Sequence, residues 1–273
     1  MLGEFLENVR KNSPLIHNIT NYVTVNDCAN ILLASGASPI MADDENEVED
    51  ITSICDGLNI NIGTLNTRTI NSMFKAGQKA NELQHALLLD PVGVGASNLR
   101  NKTAFELVKR LNFDVIRGNI SEIKTLATGT GSTRGVDADI KDSITECNLD
   151  QYINFAKKLA DNMNTIIAIS GVIDIVADKT TAYVIYNGHK MMSRITGSGC
   201  MLSAFTTAYI AANKHNKLQA VTAAFCAMGA AGEIAAARMN KLDGNSSFRN
   251  YLIDAVFNMT GAQLEKMAKY EQK

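Results

Sequence analysis

A glycine-rich turn at residues 196–200, TGSGC, directly precedes a strongly apolar segment. Gly197 and Gly199 allow backbone N–H groups to converge at the start of the helix that this segment predicts. Such a helix N-terminus binds an anion through its geometry and its dipole. A Gly-Ser-Gly turn is short and recurs by chance, so a plain loop before a helix explains it equally well. The turn indicates an anion site only together with its neighbours.

Cys200 lies at the start of the same predicted helix. The positive end of a helix dipole favours the thiolate and lowers the pKa of a cysteine placed there. Cysteine is also among the residues most often simply buried. Beside the predicted anion site, we interpret Cys200 as a proton acceptor for a substrate hydroxyl. The other four cysteines have no comparable setting and are interpreted as structural: Cys28, Cys55, Cys147 and Cys226.

Two acids follow predicted strands. Asp90 comes after four apolar residues and before PVGVG, and Glu122 lies in the first turn of a helix that Asn119 or Ser121 could cap. Two carboxylates at neighbouring strand ends, with phosphate oxygens, suit Mg²⁺, which takes few protein ligands and retains several waters. The alternatives are a strand cap for Asp90 and a dipole-complementing acid for Glu122. Arg117 comes just before the segment 119–122 and would neutralise a phosphate, or else is a solvated surface residue.

Taken together, these residues are the set that phosphoryl transfer requires, because its catalysis rests on positioning and charge neutralisation. Other chemistries lack their motifs. The sequence has no G-x-S-x-G for a serine hydrolase, and neither the P-loop nor the dinucleotide-binding glycine pattern occurs. The four histidines lack metal-ligand spacing, which disfavours a zinc enzyme.

Strand-like and helical patterns alternate along the chain and predict an α/β fold. The predicted strands are 38–41, 58–63, 86–90, 113–118, 165–171, 173–178 and 182–188. The predicted helices are 24–36, 67–84, 101–111 and 150–162, followed by three Ala-rich segments at 200–213, 217–238 and 247–268. We expect a single domain, residues 1–273, with a mostly parallel central sheet, helices on both faces and a helical C-terminal layer. Ligands bind beyond the carboxyl ends of parallel strands, so the residues after each strand should meet at one edge.

The composition limits the partners and the cellular compartment that we expect for this protein. The 273 residues carry 26 Lys and Arg against 28 Asp and Glu, a net charge of −2, which excludes bulk-electrostatic binding of nucleic acid. The five cysteines are odd in number with no C-x-x-C pair, which favours a reducing compartment. Glu4 and Glu7 interrupt any export signal, and the apolar stretch 220–232 is shorter than the ~20 residues of a bilayer span. We predict a cytoplasmic protein that binds no membrane.

The motifs resemble those of the ribokinase-like superfamily. Its late G-[TS]-G-[DC] signature matches residues 197–200, and its N-x-x-E motif matches residues 119–122. Within the superfamily, the chain is similar to the hydroxyethylthiazole kinase family over nearly its whole length. The longer segments that carry this similarity are HNITNYVTVNDCAN (17–30), SPIMADDENE (38–47), LLLDPVGVGAS (87–97), VIRGNISEI (115–123) and ITGSGCMLSA (195–204).

The resemblance implies phosphorylation of the primary hydroxyl of 5-(2-hydroxyethyl)-4-methylthiazole by ATP and Mg²⁺, in thiamin biosynthesis or salvage. It also implies a homotrimer whose thiazole pockets lie between subunits. The implied positions are Arg117, Ser170, Glu122 and Asn119 for the nucleotide, Asp90 and Glu122 for magnesium, Asn21, Met41 and Gly197 for the thiazole, and Cys200 with Gly197 and Gly199 for catalysis.

Cys200 is a departure from the wider superfamily, most of which has Asp at that place. Thiazole kinases commonly carry Cys there, so the departure bears on mechanism rather than on family. Three alternatives remain open: a related kinase for a pyrimidine, pyridoxal or sugar, a nicotinamide nucleotide hydrate dehydratase on the same scaffold, and a non-catalytic nucleotide sensor. The Cys and the HNITN segment disfavour the dehydratase, and the retained acids with Arg117 disfavour the sensor.

Overall fold

The centre of the computed structural model, which describes residues 1–129 and 144–273, is a sheet of nine strands among those residues. The strands are β1 Leu15–Ile19, β2 Ser38–Ile40, β3 Gly57–Asn61, β4 Ala86–Asp90, β5 Val115–Asn119, β6 Ile166–Ser170, β7 Asp174–Ala177, β8 Ala182–Ile185 and β9 Tyr270–Gln272. The helices are α1 Leu2–Asn12, α2 Val25–Ser35, α3 Val48–Ile54, α4 Thr67–Glu82, α5 Asn98–Arg110, α6 Ile120–Thr128, α7 Leu149–Met163, α8 Ser198–Ala212, α9 Lys217–Arg238, α10 Asn245–Asn258 and α11 Gly261–Met267.

The sheet has a parallel part and an antiparallel part. Its spatial order is β2-β1-β3-β4-β5-β6-β7-β8-β9. Neighbours from β2 to β6 pair in parallel, and those from β6 to β9 pair antiparallel. The prediction of a mostly parallel sheet is therefore confirmed. The carboxyl ends of the parallel strands all lie at one edge, as the sequence analysis requires.

Alternation along the strands divides the core into two layers, one on each face of the sheet. Leu88 of β4 packs into the layer formed with α1, α2, α8, α9 and α10, whereas its neighbours Leu87 and Leu89 pack into the layer formed with α4, α5, α6 and α7. On β3, Gly57 faces α8, because a Cβ there would lie 3.2 Å from Thr207 Cγ2. Side chains at every second position after Gly57, up to Asn61, therefore face α8.

Helices α8 and α9 form the buried centre of the C-terminal layer, and most of their residues are buried. At 22 residues, α9 is the one helix in the described ranges that is long and apolar enough to cross a membrane. However, 78% of its most apolar window is buried inside the protein, as expected for a core helix. The apolar stretch 220–232, which is too short for a bilayer span, is part of this longer helix.

Several element boundaries differ from the predictions. Strands β1 and β9 and helices α1 and α3 were not predicted, and the segment 247–268 is two helices rather than one. The break between α10 and α11 falls at Thr260, whose hydroxyl accepts the backbone N–H of Gln263 and so starts a new helix. Similarly, the helix predicted at 101–111 begins earlier, at Asn98, because Ser97 caps it.

Candidate active site

The carboxyl edge of the parallel strands brings the predicted residues into one row. Asn21 follows β1, Asp90 ends β4, Asn119 ends β5 and Ser170 ends β6. Adjacent strands lie about 4.8 Å apart, so the row from β1 to β6 spans roughly 19 Å. This is the length scale of a site that holds two small molecules end to end.

The N-terminus of α8 projects over the middle of this row. Gly197 caps the helix with a φ of 83°, and a Cβ at that position would lie 2.6 Å from Thr24 Cγ2. A Cβ at Gly199 would lie 2.7 Å from Arg117 Nη1. Gly197 is therefore needed for its positive φ and its close approach to Thr24, and Gly199 leaves room for the end of the Arg117 side chain. The guanidinium lies directly against a helix terminus whose first N–H groups have no intrahelical acceptor, which suits a phosphate.

The Cys200 thiol is buried and accepts two hydrogen bonds from amides. Asn21 Nδ2 and Asn61 Nδ2 each lie 3.3 Å from Cys200 Sγ. Burial and the nearby charge of Asp90 raise the pKa of this thiol, although the amide donors act in the opposite direction. The expectation that the helix dipole lowers the pKa of Cys200 is thus wrong, because desolvation is the larger effect. The resting side chain is a neutral thiol.

Asp90 is fully buried, and its two oxygens have different surroundings. Oδ2 accepts from Ser203 Oγ at 2.7 Å and from Asn61 Nδ2 at 2.8 Å, and it pairs with Arg117 Nη1 at 3.7 Å. Oδ1 has no hydrogen-bond partner within the described residues. Burial raises the pKa of Asp90, while the Arg117 guanidinium acts to lower it. A buried carboxylate oxygen without a partner is costly, and it fits a cation or its water.

Glu122 joins the loop after β4 to the start of α6. Its Oε1 accepts the Gly93 N–H and its Oε2 accepts the Asn119 N–H, both at 2.8 Å. Asn119 Oδ1 in return accepts the Glu122 N–H at 2.9 Å, which completes a capping box and decides the cap in favour of Asn119 rather than Ser121. Burial, followed by the charge of Asp90, raises the pKa of Glu122 to about 7.

Arg117 is buried, so the alternative of a solvated surface arginine is wrong. Its side chain is 9% exposed and connects two strands: Nη1 pairs with Asp90 on β4, and Nη2 donates to Ser170 Oγ on β6. Its Nε is buried without a partner in the described part of the chain. Within that part there is no group of three His, Cys, Asp or Glu side chains of the kind that holds a metal ion alone. Mg²⁺ takes few protein ligands, and waters and phosphate oxygens would complete its shell around the carboxylates of Asp90 and Glu122.

A model of the hydroxyethylthiazole kinase family matches residues 6–262. The chain belongs to this family. It is 63% identical over 271 residues to the hydroxyethylthiazole kinase of Clostridium acetobutylicum, covering 99% of each chain, and 48% identical to that of Clostridium beijerinckii, covering 99% of this chain and 97% of that protein. The solved structure of a hydroxyethylthiazole kinase protein from Pyrococcus horikoshii OT3 superposes with a TM-score of 0.88 at 35% identity, covering 100% of this chain and 98% of that one.

A more distant structure supports the fold alone. The pyridoxal kinase of Staphylococcus aureus in complex with AMP-PCP has a TM-score of 0.62 at 18% identity, covering 95% of this chain and 97% of that chain. The predicted ribokinase-like fold is therefore confirmed. Family membership makes the chain a kinase that takes its phosphoryl group from ATP and transfers it to a small molecule.

Two residues in the family-like N-terminal segments lie outside the hydrogen-bonded cluster around Cys200. Met41 is half-buried, follows the edge strand β2 and packs against the core layer that contains α8. His17 is fully buried, with its ring nitrogens 2.9 Å from Thr52 Oγ1 and 2.8 Å from the Ala42 carbonyl oxygen. This histidine therefore holds the chain that follows β2 against β1.

Asn61, Ser203 and Thr24 were not predicted as site residues. Asn61 lies in the predicted strand 58–63, and all three residues contact a predicted site residue. The sequence contained a signal for Asn61, because this asparagine lies near the end of a predicted buried strand. Burial of an amide is unfavourable unless the amide makes hydrogen bonds. Ser203 gave no such signal, because a serine one turn into an Ala-rich helix is common.

Proposed function

We propose that this kinase phosphorylates the primary hydroxyl of 5-(2-hydroxyethyl)-4-methylthiazole with ATP and Mg²⁺, giving the thiazole phosphate for thiamin synthesis. The observation that carries the proposal is the convergence of a glycine-capped helix N-terminus, the Cys200 thiol and the Asp90–Arg117 pair at one sheet edge. The names of the relatives indicate the substrate. The geometry provides a position for a phosphoryl group between the β1 and β2 end of the row and its β5 and β6 end.

The β5 and β6 side of the row suits the nucleotide. Arg117 presents its guanidinium beside Gly199, where it neutralises phosphate charge, and Ser170 fixes its orientation. Asp90 Oδ1 and the carboxylate of Glu122 would hold Mg²⁺, in part through water. When bound, this cation neutralises the phosphate oxygens on which charge develops. Asn119 keeps Glu122 in place through the capping box.

The β1 and β2 side suits the acceptor alcohol. A polarisable thioether packs well against an aromatic ring, which gives Met41 a role beside the thiazole. Gly197 leaves the approach to the helix terminus open. The neutral Cys200 thiol orients the substrate hydroxyl. Because this thiol retains its own proton, the hydroxyl proton passes late in the transfer to an oxygen of the transferred phosphoryl group. A loose phosphoryl-transfer transition state requires little early proton removal, so a weak base is sufficient.

We also propose a homotrimeric assembly with pockets between subunits, in the cytoplasm. Tyr22 and Val23 immediately follow Asn21 and are 79% and 56% exposed, which leaves an apolar surface next to the acceptor side. Coverage of this surface by a second copy would complete the pocket around Met41. Light scattering of the purified protein should give a mass close to three times 29.5 kDa.

The test is a phosphorylation assay with ATP-Mg²⁺ and three acceptors: the thiazole alcohol, hydroxymethylpyrimidine and pyridoxal. We expect phosphate on the thiazole alcohol with a kcat/KM at least about a hundredfold above that for the other two, since each mismatched or unpaired polar contact costs ~1–3 kcal/mol. Phosphorylated product is identified by mass spectrometry, with enzyme lacking Asp90 (Asp90→Ala) as the control. Preferential phosphorylation of pyridoxal or the pyrimidine would contradict the substrate assignment.

A further inference from the structure

Asn61 occupies the centre of the site, and its amide makes four hydrogen bonds. Nδ2 donates to Asp90 Oδ2 at 2.8 Å and to Cys200 Sγ at 3.3 Å. Oδ1 accepts from the Gly63 N–H at 2.9 Å and from Asn21 Nδ2 at 3.0 Å. With two donors and two acceptor positions used, the hydrogen-bonding capacity of this amide is filled.

The orientation of the Asn61 amide follows from its partners. A carboxylate oxygen of Asp90 only accepts, so the NH₂ group must face it, and the Gly63 N–H only donates, so the carbonyl must face that side. The same reasoning orients Asn21, whose Oδ1 accepts the Thr24 N–H at 3.1 Å. Its Nδ2 then points to Asn61 Oδ1 and Cys200 Sγ. The sulfur therefore faces two N–H donors.

Register explains why Asn61 can join the thiol to the carboxylate. Asn61 and Asp90 are paired residues on the parallel strands β3 and β4, and both side chains reach α8, where Ser203 and Cys200 lie one turn apart. A single planar amide thus holds the sulfur and Asp90 Oδ2 at a fixed separation, while Asp90 Oδ1 has no hydrogen-bond partner among residues 1–129 and 144–273.

We propose that Asn61 is a positioning residue for phosphoryl transfer, which sets the Cys200 sulfur and the Asp90 carboxylate in one geometry through the two N–H groups of its amide. The inference rests on the proposed function. It assigns Asn21 the same kind of role, because an amide whose donors and acceptors are all used within the protein has no hydrogen bond left for the thiazole. Loss of the Asn61 amide should disturb both sides of the site at once.

The same strand supplies a matched control. Asn59 is also fully buried on the face of β3 toward α8, and its Nδ2 donates to Asn18 Oδ1 at 3.1 Å. This hydrogen bond does not involve Cys200 or Asp90. Asn59→Ala and Asn61→Ala therefore remove the same group from the same strand, and only the second removes contacts to the reacting centre.

The first experiment measures kcat and KM for the thiazole alcohol and ATP in both variants and in the Cys200→Ala background. For Asn61→Ala we expect kcat to fall about 10- to 100-fold, as for removal of groups that orient metal-facing carboxylates, while Asn59→Ala stays within about threefold. In the Cys200→Ala protein the Asn61→Ala loss should shrink by at least about threefold, because one of its two partners is already gone. An unchanged kcat, or an equal loss in both backgrounds, overturns the proposal.

A second experiment needs no turnover and separates this inference from the substrate assignment. Asn61→Asp keeps the shape and the acceptor oxygen but replaces the N–H donor beside Cys200 Sγ with an oxygen. The rate of Cys200 alkylation by iodoacetamide at pH 8, read by peptide mass spectrometry, should fall at least about threefold, whereas Asn59→Asp should stay within about twofold. An unchanged rate in Asn61→Asp overturns the proposal even if the wild-type enzyme phosphorylates the thiazole, and a slowed rate supports it even if another alcohol is the substrate.

Discussion

The two sides of the site hold their residues in different ways. On the acceptor side, where we place the substrate alcohol, the groups are neutral. The amides of Asn21 and Asn61 make all their hydrogen bonds within the protein. On the nucleotide side the groups are charged, and both Asp90 Oδ1 and Arg117 Nε are buried without a partner in the described residues. The amide hydrogen bonds of the acceptor side are thus complete before any ligand arrives, whereas the nucleotide side has buried polar atoms left to bind one.

The neutral side of the site therefore orients the reacting groups, and the charged side neutralises the phosphates. Neutral amides fix the position of a sulfur without adding net charge near a substrate that carries none. Buried charged groups with unsatisfied polar atoms destabilise the ligand-free protein. Binding of phosphates and a cation stabilises these groups. Removal of a buried charge on the nucleotide side should therefore reduce the rate of the chemical step most, and removal of a neutral group on the acceptor side should reduce it less.

Asp90→Ala should have the largest effect. The change removes the carboxylate that faces the phosphates and leaves Arg117, Asn61 and Ser203 without their common acceptor. We expect kcat to fall at least about 10³-fold, comparable to loss of a central electrostatic group in other enzymes. Steady-state kinetics measure this, with circular dichroism to verify folding. Activity within tenfold of wild type would show that the Asp90 carboxylate is not needed for charge neutralisation at the phosphates.

Cys200→Ala should have a smaller effect and leave activity that can be measured. The thiol is neutral at rest, and a loose transition state needs little help from a base, so we expect a loss of about 10- to 100-fold in kcat. Cys200→Ser is the matched variant, since it keeps a group that accepts from both amides. If Cys200→Ala is as inactive as Asp90→Ala, the two sides do not differ in the way described above.

The sequence predicted the fold well where local patterns and tertiary structure agree. The apolar runs that became β3, β4 and β6 are buried on both faces, so their composition alone identified them. Strand β1 was missed because His17 and Asn18 interrupt its apolar pattern, and both are buried through hydrogen bonds that no local pattern reveals. The C-terminal β9 was missed because its residues are exposed and only pairing with β8 makes it a strand.

The site was predictable for the residues that follow strands and unpredictable for those that depend on packing across the sheet. Asp90 and Arg117 meet as expected, because the carboxyl ends of neighbouring parallel strands share an edge. The pKa of Cys200 was predicted in the wrong direction because the helix dipole is visible in the sequence and the burial of the thiol is not. The role of Asn61 depends on the register between β3 and β4, which only the structure gives.

Ser170→Ala tests the nucleotide side by a small change. It removes the hydroxyl that accepts from Arg117 Nη2 and leaves the ion pair with Asp90 intact. A hydrogen bond of this type contributes about 1 kcal/mol, so we expect KM for ATP to rise about fivefold with kcat nearly unchanged. Initial rates at varied ATP measure this. A selective rise in KM for the thiazole alcohol would place Ser170 on the other side.

The smallest expected effect is on thermal stability, through the pH dependence that the buried Glu122 carboxyl confers. In the folded protein without Mg²⁺, burial raises the pKa of Glu122 to about 7, above its ordinary value near 4.5. The folded state therefore binds this proton more tightly than the unfolded state, and the stability it provides is lost as the pH rises through about 7. The Tm of the metal-free protein should be lower at pH 8 than at pH 5.5.

Glu122→Gln should reduce this pH dependence, because the variant has no proton to lose. Asp174, whose pKa burial also raises to about 7, is present in both proteins and retains part of the effect. We expect the decrease in Tm between pH 5.5 and pH 8 to be smaller in the variant by about 3 °C, measured by differential scanning fluorimetry without divalent cations. Addition of Mg²⁺ at pH 8 should raise the Tm of the wild type more than that of the variant. Equal slopes in the two proteins would mean that the Glu122 carboxylate is already stabilised without a ligand, and the charged side would then be as complete as the acceptor side.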